Sequence, residues 1–249
     1  MNEVKIEVCA GSYEDCLAAA RGGADRVELN SALALGGLSP TETTLKQVKQ
    51  DTDLGVICMV RPRGAGFCYT DAEKKMMLAE AESFMKNGAD GIAFGFLTAD
   101  GAIDVEPTKK MITLIHQYGG EAVFHRAVDV TPDYDQAVET LCDLGADRVL
   151  TSGQFEKAVQ GLENIARIQK KYGNRIQILA GSGVNASNGQ DILAATGIHQ
   201  LHSSCKGYDT DPTTSGEKVT YAYLEGDHRN DYDVVKEELV AHLVRSVKA

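Results

Sequence analysis

What this chain lacks narrows what it can be. No apolar run reaches the roughly 18 residues that would span a bilayer, so no membrane-spanning helix is expected. Met1-Asn2-Glu3-Val4 opens with neither a basic region nor a signal-like apolar core, and a cytoplasmic location is expected. Basic residues are in deficit: 25 Lys and Arg face 36 Asp and Glu, for a formal net charge of −11. Nucleic-acid binding relies on concentrated Lys and Arg, so no such partner is expected. The six cysteines (Cys9, Cys16, Cys58, Cys68, Cys142, Cys205) contain no C-x-x-C pair and are too sparse over 249 residues for a disulfide framework. Three or more of them are expected to act simply as small buried hydrophobes. A His-Glu-x-x-His helix is also missing.

What is present is ordinary in composition and regular in pattern. Hydrophobic residues make up 43% and charged residues 24%, as in a soluble globular protein, and the length suits the roughly 250-residue α/β barrel that folds as one domain. Strand-length apolar runs alternate with helix-length segments from end to end, the pattern of βαβ units around a parallel sheet. Strands are predicted at 4–9, 26–30, 54–60, 91–96, 122–126, 148–152, 176–180 and 198–203. Helices are predicted at 12–21, 41–50, 71–86, 106–117, 133–143, 155–172, 187–195 and 233–246. Gly-Gly-Ala-Asp-Arg-Val (22–27), Asn-Gly-Ala-Asp-Gly-Ile (87–92) and Leu-Gly-Ala-Asp-Arg-Val (144–149) repeat one helix-to-strand junction, with a looser copy at Thr196-Gly197-Ile198. They precede strands two, four, six and eight, a spacing that suits a barrel of four βαβα quarters. The expected fold is a single-domain (β/α)8 TIM barrel spanning residues 1–249. The polar stretch Lys206 to Asp231 breaks the rhythm, and the strand-like alternation of Val219 to Leu224 suggests an ordered flap or subunit contact rather than a disordered loop.

The segment Val60-Arg61-Pro62-Arg63-Gly64 sits at the end of the third run. Two guanidinium groups there remain charged and carry five donors each, so they are expected to meet anions: Glu7, Glu28 or a polar ligand. In a parallel barrel alternate residues point inward and functional groups collect at the C-terminal strand ends. With Val4, Ile6 and Val8 facing the helices, Glu7 and Cys9 point in, and by the same alternation so do Glu28, Asn30, Met59, Arg61, His125 and His202. Such a set is either a functional rim or a satisfied structural ion-pair layer. As a functional rim, His125 or His202 serves as general acid or base, with Glu7 or Glu28 as orienting partner or second base. Arg61 and Arg63 would grip a carboxylate or phosphate. The turn Gly181-Ser182-Gly183-Val184 and the pair Ser203-Ser204 stand where many barrels bind phosphate, although a tight βα turn favours glycine for its own sake. A metal reading competes. Cys9, His202 and Cys205 can approach once strands one and eight adjoin, with Cys68 on the loop leaving strand three, and thiolate and imidazole favour Cu(I) or Zn(II) over hard cations.

Glu7-Val8-Cys9, Ala24-Asp25-Arg26-Val27-Glu28-Leu29, Gly36-Gly37-Leu38-Ser39-Pro40, Arg61-Pro62-Arg63-Gly64, Phe67-Cys68-Tyr69, Phe124-His125-Arg126-Ala127, Leu150-Thr151-Ser152-Gly153 and His202-Ser203-Ser204 together resemble the CutC family, in order, as far as about Cys205. The resemblance implies a cytoplasmic (β/α)8 barrel assigned to copper homeostasis and Cu(I) binding, usually a homo-oligomer, with no particular reaction attached. Two departures stand out. Many relatives have Glu-Leu-Cys-Ser where this chain has Glu28-Leu29-Asn30-Ser31, which removes a soft ligand. Gly-Gly-Asp-Phe is common where this chain has Ala65-Gly66-Phe67, which removes an acid beside the Arg pair. Two functions therefore stand side by side. One is a copper homeostasis protein holding Cu(I) through Cys9, Cys68 or Cys205. The other is a lyase, isomerase or hydrolase acting on a small phosphorylated or carboxylated metabolite. A scaffold using the polar tail as its contact surface is a third.

Overall fold

In the computed structural model, which describes residues 3–248, eight parallel strands close into a barrel in sequence order. They are β1 (Lys5–Ala10), β2 (Arg26–Leu29), β3 (Gly55–Met59), β4 (Gly91–Phe94), β5 (Glu121–Phe124), β6 (Arg148–Thr151), β7 (Gln177–Ala180) and β8 (Gln200–Ser203). Closure is made by β1 against β8, with Glu7 opposite His202. The surrounding helices are α1 (Tyr13–Arg21), α2 (Glu42–Asp51), α3 (Asp71–Lys86), α4 (Val105–Gln117), α5 (Tyr134–Leu144), α6 (Leu162–Tyr172), α7 (Gly189–Thr196) and α8 (Glu237–Lys248). None of them is long and apolar enough to cross a membrane. Their starts follow local chemistry. Ser12 accepts the Asp15 N–H at the head of α1, and Thr70 with Glu73 forms a reciprocal capping box on α3.

The repeated junction is the device that joins the strands. In each copy a left-handed glycine (Gly23, Gly88, Gly145) ends the helix, and the aspartate two residues later ties three strands together. Asp25 accepts the Ile6 N–H through its carboxylate at 2.7 Å, donates its own N–H to the Ile6 carbonyl, and offers its carbonyl to Gly55. Asp90 does the same for Val56 and Glu121, and Asp147 for Ala122 and Gln177. In the looser fourth copy His199 takes the aspartate's place, and its carbonyl accepts from Lys5 to close the ring.

Strand alternation divides the side chains. Ile6, Val8, Val27, Leu29, Val56, Cys58, Ile92 and Phe94 face the helices in one large core. Inside the barrel, Ile57, Met59, Ala93 and Val123 form a small separate apolar cluster on the β3–β5 side. The β1, β2, β6 and β8 side of the lumen carries Glu7, Glu28, Arg26, Arg148 and His202 instead, all buried. One half of the lumen is thus a plug and the other is charged.

Three stretches differ from the sequence prediction. The α-helix expected from Phe155 begins only at Leu162, because the Phe155 carbonyl is taken by the Ser152 hydroxyl and Arg126; 155–157 is irregular and Ala158–Gln160 is a single 3-10 turn. The helix expected from Asp233 begins at Glu237, because Asp231–Val235 is a strand (β10) paired antiparallel with Lys206–Thr210 (β9). Val219 to Leu224 is not a strand: its alternation faces solvent, with Val219 60% and Tyr221 81% exposed, and only an isolated bridge, Ser215 to Thr220, forms there. The polar tail is therefore an ordered two-stranded arm, latched to α1 where Asp15 accepts the Val235 N–H at 2.7 Å.

Candidate functional site

The charged half of the lumen rises from base to mouth as one chain of bonded groups. At its foot, Arg148 bonds Glu121 at 2.6 Å and Gln177 at 3.3 Å, and Arg26 donates through Nη2 to Gln200. Above them, Arg26 Nε donates to Glu7 Oε2 at 2.5 Å, while Glu7 Oε1 faces His202 Nδ1 at 2.7 Å. Cys9 and Glu28 lie over the imidazole: ligand-type atoms of Cys9, Glu28 and His202 all fall within 4.8 Å of one another. Asn30 donates to the Glu28 carboxylate at 3.0 Å and to the Cys9 sulfur at 3.6 Å.

Burial and neighbours set the protonation of this stack. Burial alone would raise the Glu7 carboxyl, but the Arg26 charge and His202 hold it well below the usual carboxylate range. Burial disfavours a charged His202, yet the Cys9 sulfur, the Glu7 hydrogen bond and the charges of Glu28 and Glu7 together raise it well above 6.5. His202 is accordingly an imidazolium at neutral pH, paired below and open to Cys9 and Glu28 above. Desolvation raises both the Glu28 carboxyl and the Cys9 thiol.

On the other side of the mouth His125 is neutral. Its Nδ1 accepts the Ala127 N–H at 3.2 Å, which leaves the proton on Nε2. Burial, then the Arg61 charge, pushes its pKa down to about 3. Phe67 packs against this ring at 4.9 Å and beneath the Arg61 guanidinium at 5.1 Å. Arg61 meets neither Glu7 nor Glu28, contrary to expectation, and forms no ion pair among the described residues. Its Nη1 donates to the carbonyls of Gly36 (2.9 Å) and Gly37 (3.2 Å), and Nη2 to that of Ala65 (2.7 Å). Gly36 is left-handed, and a Cβ there would come within 2.8 Å of Nη1, so only glycine lets this loop close on the guanidinium. The charge of Arg61 is solvated by dipoles and not cancelled.

Several buried polar atoms here have no partner among the described residues: Glu28 Oε1, Asn30 Oδ1, Arg61 Nε and His125 Nε2. Glu28, Arg61 and His125 line one cavity of about 420 Å³ at the C-terminal mouth, with Cys9, His202, Ser182, Gly183 and Ser204. A larger groove of about 780 Å³ runs between α1 and the arm. None of the residues with unpartnered buried atoms lines it, and its Asp15 carboxylate accepts two backbone N–H groups, so the barrel mouth and not this groove is the candidate site.

Of the residues singled out from sequence, Glu7 lies one layer below the cavity as the partner of His202, and four others lie outside it. Arg63 turns away to Glu73 at 2.5 Å and stacks over Tyr69, because the capping carboxylate of α3 competes for it. Cys68 is exposed beside that helix start. Ser203 has outward parity and donates to the Val184 carbonyl, and the Cys205 thiol donates to Ser203 at 3.4 Å, so neither faces the mouth. The thiol set Cys9, Cys68 and Cys205 is therefore not assembled; the clustered metal-type donors are Cys9, Glu28 and His202. Sequence reasoning missed Arg26 and Arg148 beneath the site, and Arg126, Lys157 and Lys206 around the cavity. Arg26 and Arg148 were discoverable, since each follows the junction aspartate at an inward position of the repeat. Lys157 stands on a loop and Lys206 opens β9 of the arm, both outside the alternation of the barrel strands that marks direction.

The family model described as the CutC family matches residues 4–207. A protein of Treponema denticola named as family protein CutC is 46% identical over 221 residues, 89% of each chain. A protein of the same name from Bacteroides thetaiotaomicron is 36% identical over 253 residues and spans the whole of both chains. A solved structure from Streptococcus agalactiae, put forward as a copper homeostasis protein CutC, superposes with a TM-score of 0.76 at 31% identity, covering 81% of this chain and 98% of that one. KGPDC from Streptococcus mutans superposes at 0.61 with 12% identity, a likeness of fold alone. The family match ends at the first residues of the arm.

Proposed function

The chain belongs to the CutC family, and from that starting point we propose that its barrel mouth binds a small anionic metabolite and moves a proton next to a carbonyl group on it. The observation that carries this reading is that Glu28, Arg61 and His125 line one cavity and each holds a buried polar atom (Oε1, Nε and Nε2) with no partner among the described residues, since such atoms in a native fold call for a partner. Each has a role its environment supports. Arg61, charged and unpaired, attracts the anion. Neutral His125 offers an Nε2–H to a carbonyl oxygen without carrying a net charge, and so can stabilise an enolate-like oxygen. Glu28, whose carboxyl is raised by burial above the usual 4.5 and is so a stronger base than an ordinary carboxylate, takes the proton, and the His202 imidazolium is the matching acid. Some isomerase and lyase reactions begin with such a step, and the site is read as cytoplasmic in setting.

The test is proton exchange. Small keto and hydroxy carboxylates and sugar phosphates incubated with the protein in D2O are followed by proton NMR. At least one is expected to lose an α-proton, with the rate falling about 100-fold or more in Glu28→Gln and His125→Gln. No exchange above background in the panel, together with no rise in melting temperature caused by any anion, would sink the proposal.

A second reading is favoured by the Cys9, Glu28 and His202 cluster, and by the copper homeostasis role put forward for the Streptococcus agalactiae relative. Cys9 and His202 would hold Cu(I), with Glu28 beside them. The fit is poor as the site stands: it offers one soft sulfur, a protonated imidazole and a hard carboxylate, with Arg26 just below. Loading requires a proton to leave both Cys9 and His202. Anaerobic Cu(I) titration against a competing chelator, with Cys9→Ser alongside, decides it. Affinity no better than that of an exposed thiol, or unchanged in the variant, counts against copper.

A further inference from the structure

In a chain of formal net charge −11, the mouth cavity collects Arg61, Arg126, Lys157 and Lys206 against the single carboxylate of Glu28. The cations are not spread evenly. Arg61 ends β3, whereas Lys157 stands on the β6–α6 loop and Lys206 just beyond β8, on the opposite side of the ring. Arg126 is already committed to Asp129, which accepts its Nε–H at 2.8 Å. Lys157 and Lys206 form no ion pair among the described residues.

The ground between those two lysines is built. The β6–α6 loop is pinned onto the turn after β7 by the Ala158 N–H to the Ser182 carbonyl at 2.9 Å, and by the Ser182 hydroxyl to the Glu156 carbonyl at 2.6 Å. That pinning lays Lys157 over Gly183, where an added Cβ would come within 2.9 Å of its Cδ. Ser182 and Gly183 both hold left-handed backbone, at φ 78° and 74°, and Ser182 does so without glycine's freedom. Among the described residues, the N–H groups of Ser182, Gly183 and Val184 find no acceptor and the Ser204 hydroxyl has no partner. Backbone N–H groups in such a turn, flanked by lysines, match the several oxygens and double charge of a phosphate.

We infer that Lys157, Lys206, Ser204 and the Ser182–Gly183 backbone form a phosphate subsite separate from Arg61, so that the ligand is a phosphate monoester whose other end, a carbonyl or carboxylate, lies across the mouth at Arg61 and His125. The inference rests on the function proposed above and assigns the two ends of its ligand. Inorganic phosphate is the probe, titrated by calorimetry at constant ionic strength with chloride as the control anion. Phosphate is expected to bind, to weaken at least about tenfold in Lys157→Ala/Lys206→Ala, and to bind Arg61→Ala nearly as it binds the parent. Both lysines are exposed, so the double variant is expected to keep the parent melting temperature. Unchanged binding in the double variant, or binding lost in Arg61→Ala alone, overturns the inference. If the parent binds small carboxylates but not phosphate, the subsite falls and the proposed function stands. If it binds neither class, both fall.

Discussion

At the scale of single residues, the two histidines of the mouth are held in opposite states, and that difference has a pH signature. Glu7 is depressed below its ordinary 4.5, so its stabilising effect is complete above that pH and is lost as the pH falls through its folded value. His202 is raised above 6.5, so its effect is complete below 6.5 and is lost as the pH rises through its folded value. His125 runs the other way. The unfolded chain binds its proton near 6.5, while the fold refuses it down to about 3, so stability declines with acidification across that interval, by at most about 1.4 kcal/mol per pH unit. Urea denaturation on either side of pH 6.5 separates them. His125→Gln is expected to flatten the acid side of the profile and His202→Gln the alkaline side. Equal acid-side slopes in His125→Gln and the parent would show that His125 takes up a proton in the folded protein.

At the scale of elements, the barrel is assembled from a junction used three times. Each aspartate of that junction accepts the N–H of a buried strand residue through its carboxylate, so its loss takes that acceptor away. Asp90→Ala is expected to cost about 1 to 3 kcal/mol by urea unfolding, with the m-value retained. Asp147→Ala should cost a similar amount, since its bond to Ala122 has the same 2.7 Å length. A cost within error of zero for both would mean that the strand ends are water-satisfied and that the junction serves only as a turn. Much of this scale was legible beforehand. The period of the apolar runs and the repeated glycine placed all eight strands and the order of the helices. The boundaries that moved, at 155–161 and 231–235, moved because of partners distant in sequence: Arg126 and Ser152 for the first, β9 for the second.

For the molecule as a whole, the arm stands apart from the barrel. No residue from 211 to 230 is buried, so this segment adds little to the core. Replacing 211–230 by a short glycine-serine linker is expected to shift the unfolding free energy by less than about 1 kcal/mol. A self-associating chain is expected to use this arm, where Val219, Tyr221 and Tyr223 are exposed, and light scattering should then report a smaller mass for the deletion. An unchanged oligomer after the deletion would move the contact to the barrel, and an unfolded deletion would show that the arm is part of the fold. The arm shares no residue with the mouth cavity except Lys206, so the loss of a scaffold contact and the loss of ligand binding can be told apart.

What the sequence determined by itself was everything that depends on period and local geometry. The alternation of strands and helices, the closed eightfold order, and the inward parity of Glu7, Cys9, Glu28, Arg61, His125 and His202 follow from a side-chain repeat of two and from turns that need glycine. Only the tertiary structure decided who pairs with whom. It gave Glu7 to Arg26 and His202, turned Arg63 to Glu73 and Cys205 to Ser203, and left Arg61 among carbonyls. Pairing is a competition among donors and acceptors that meet only after the barrel closes, and its outcome depends on distances that no run of neighbouring residues contains.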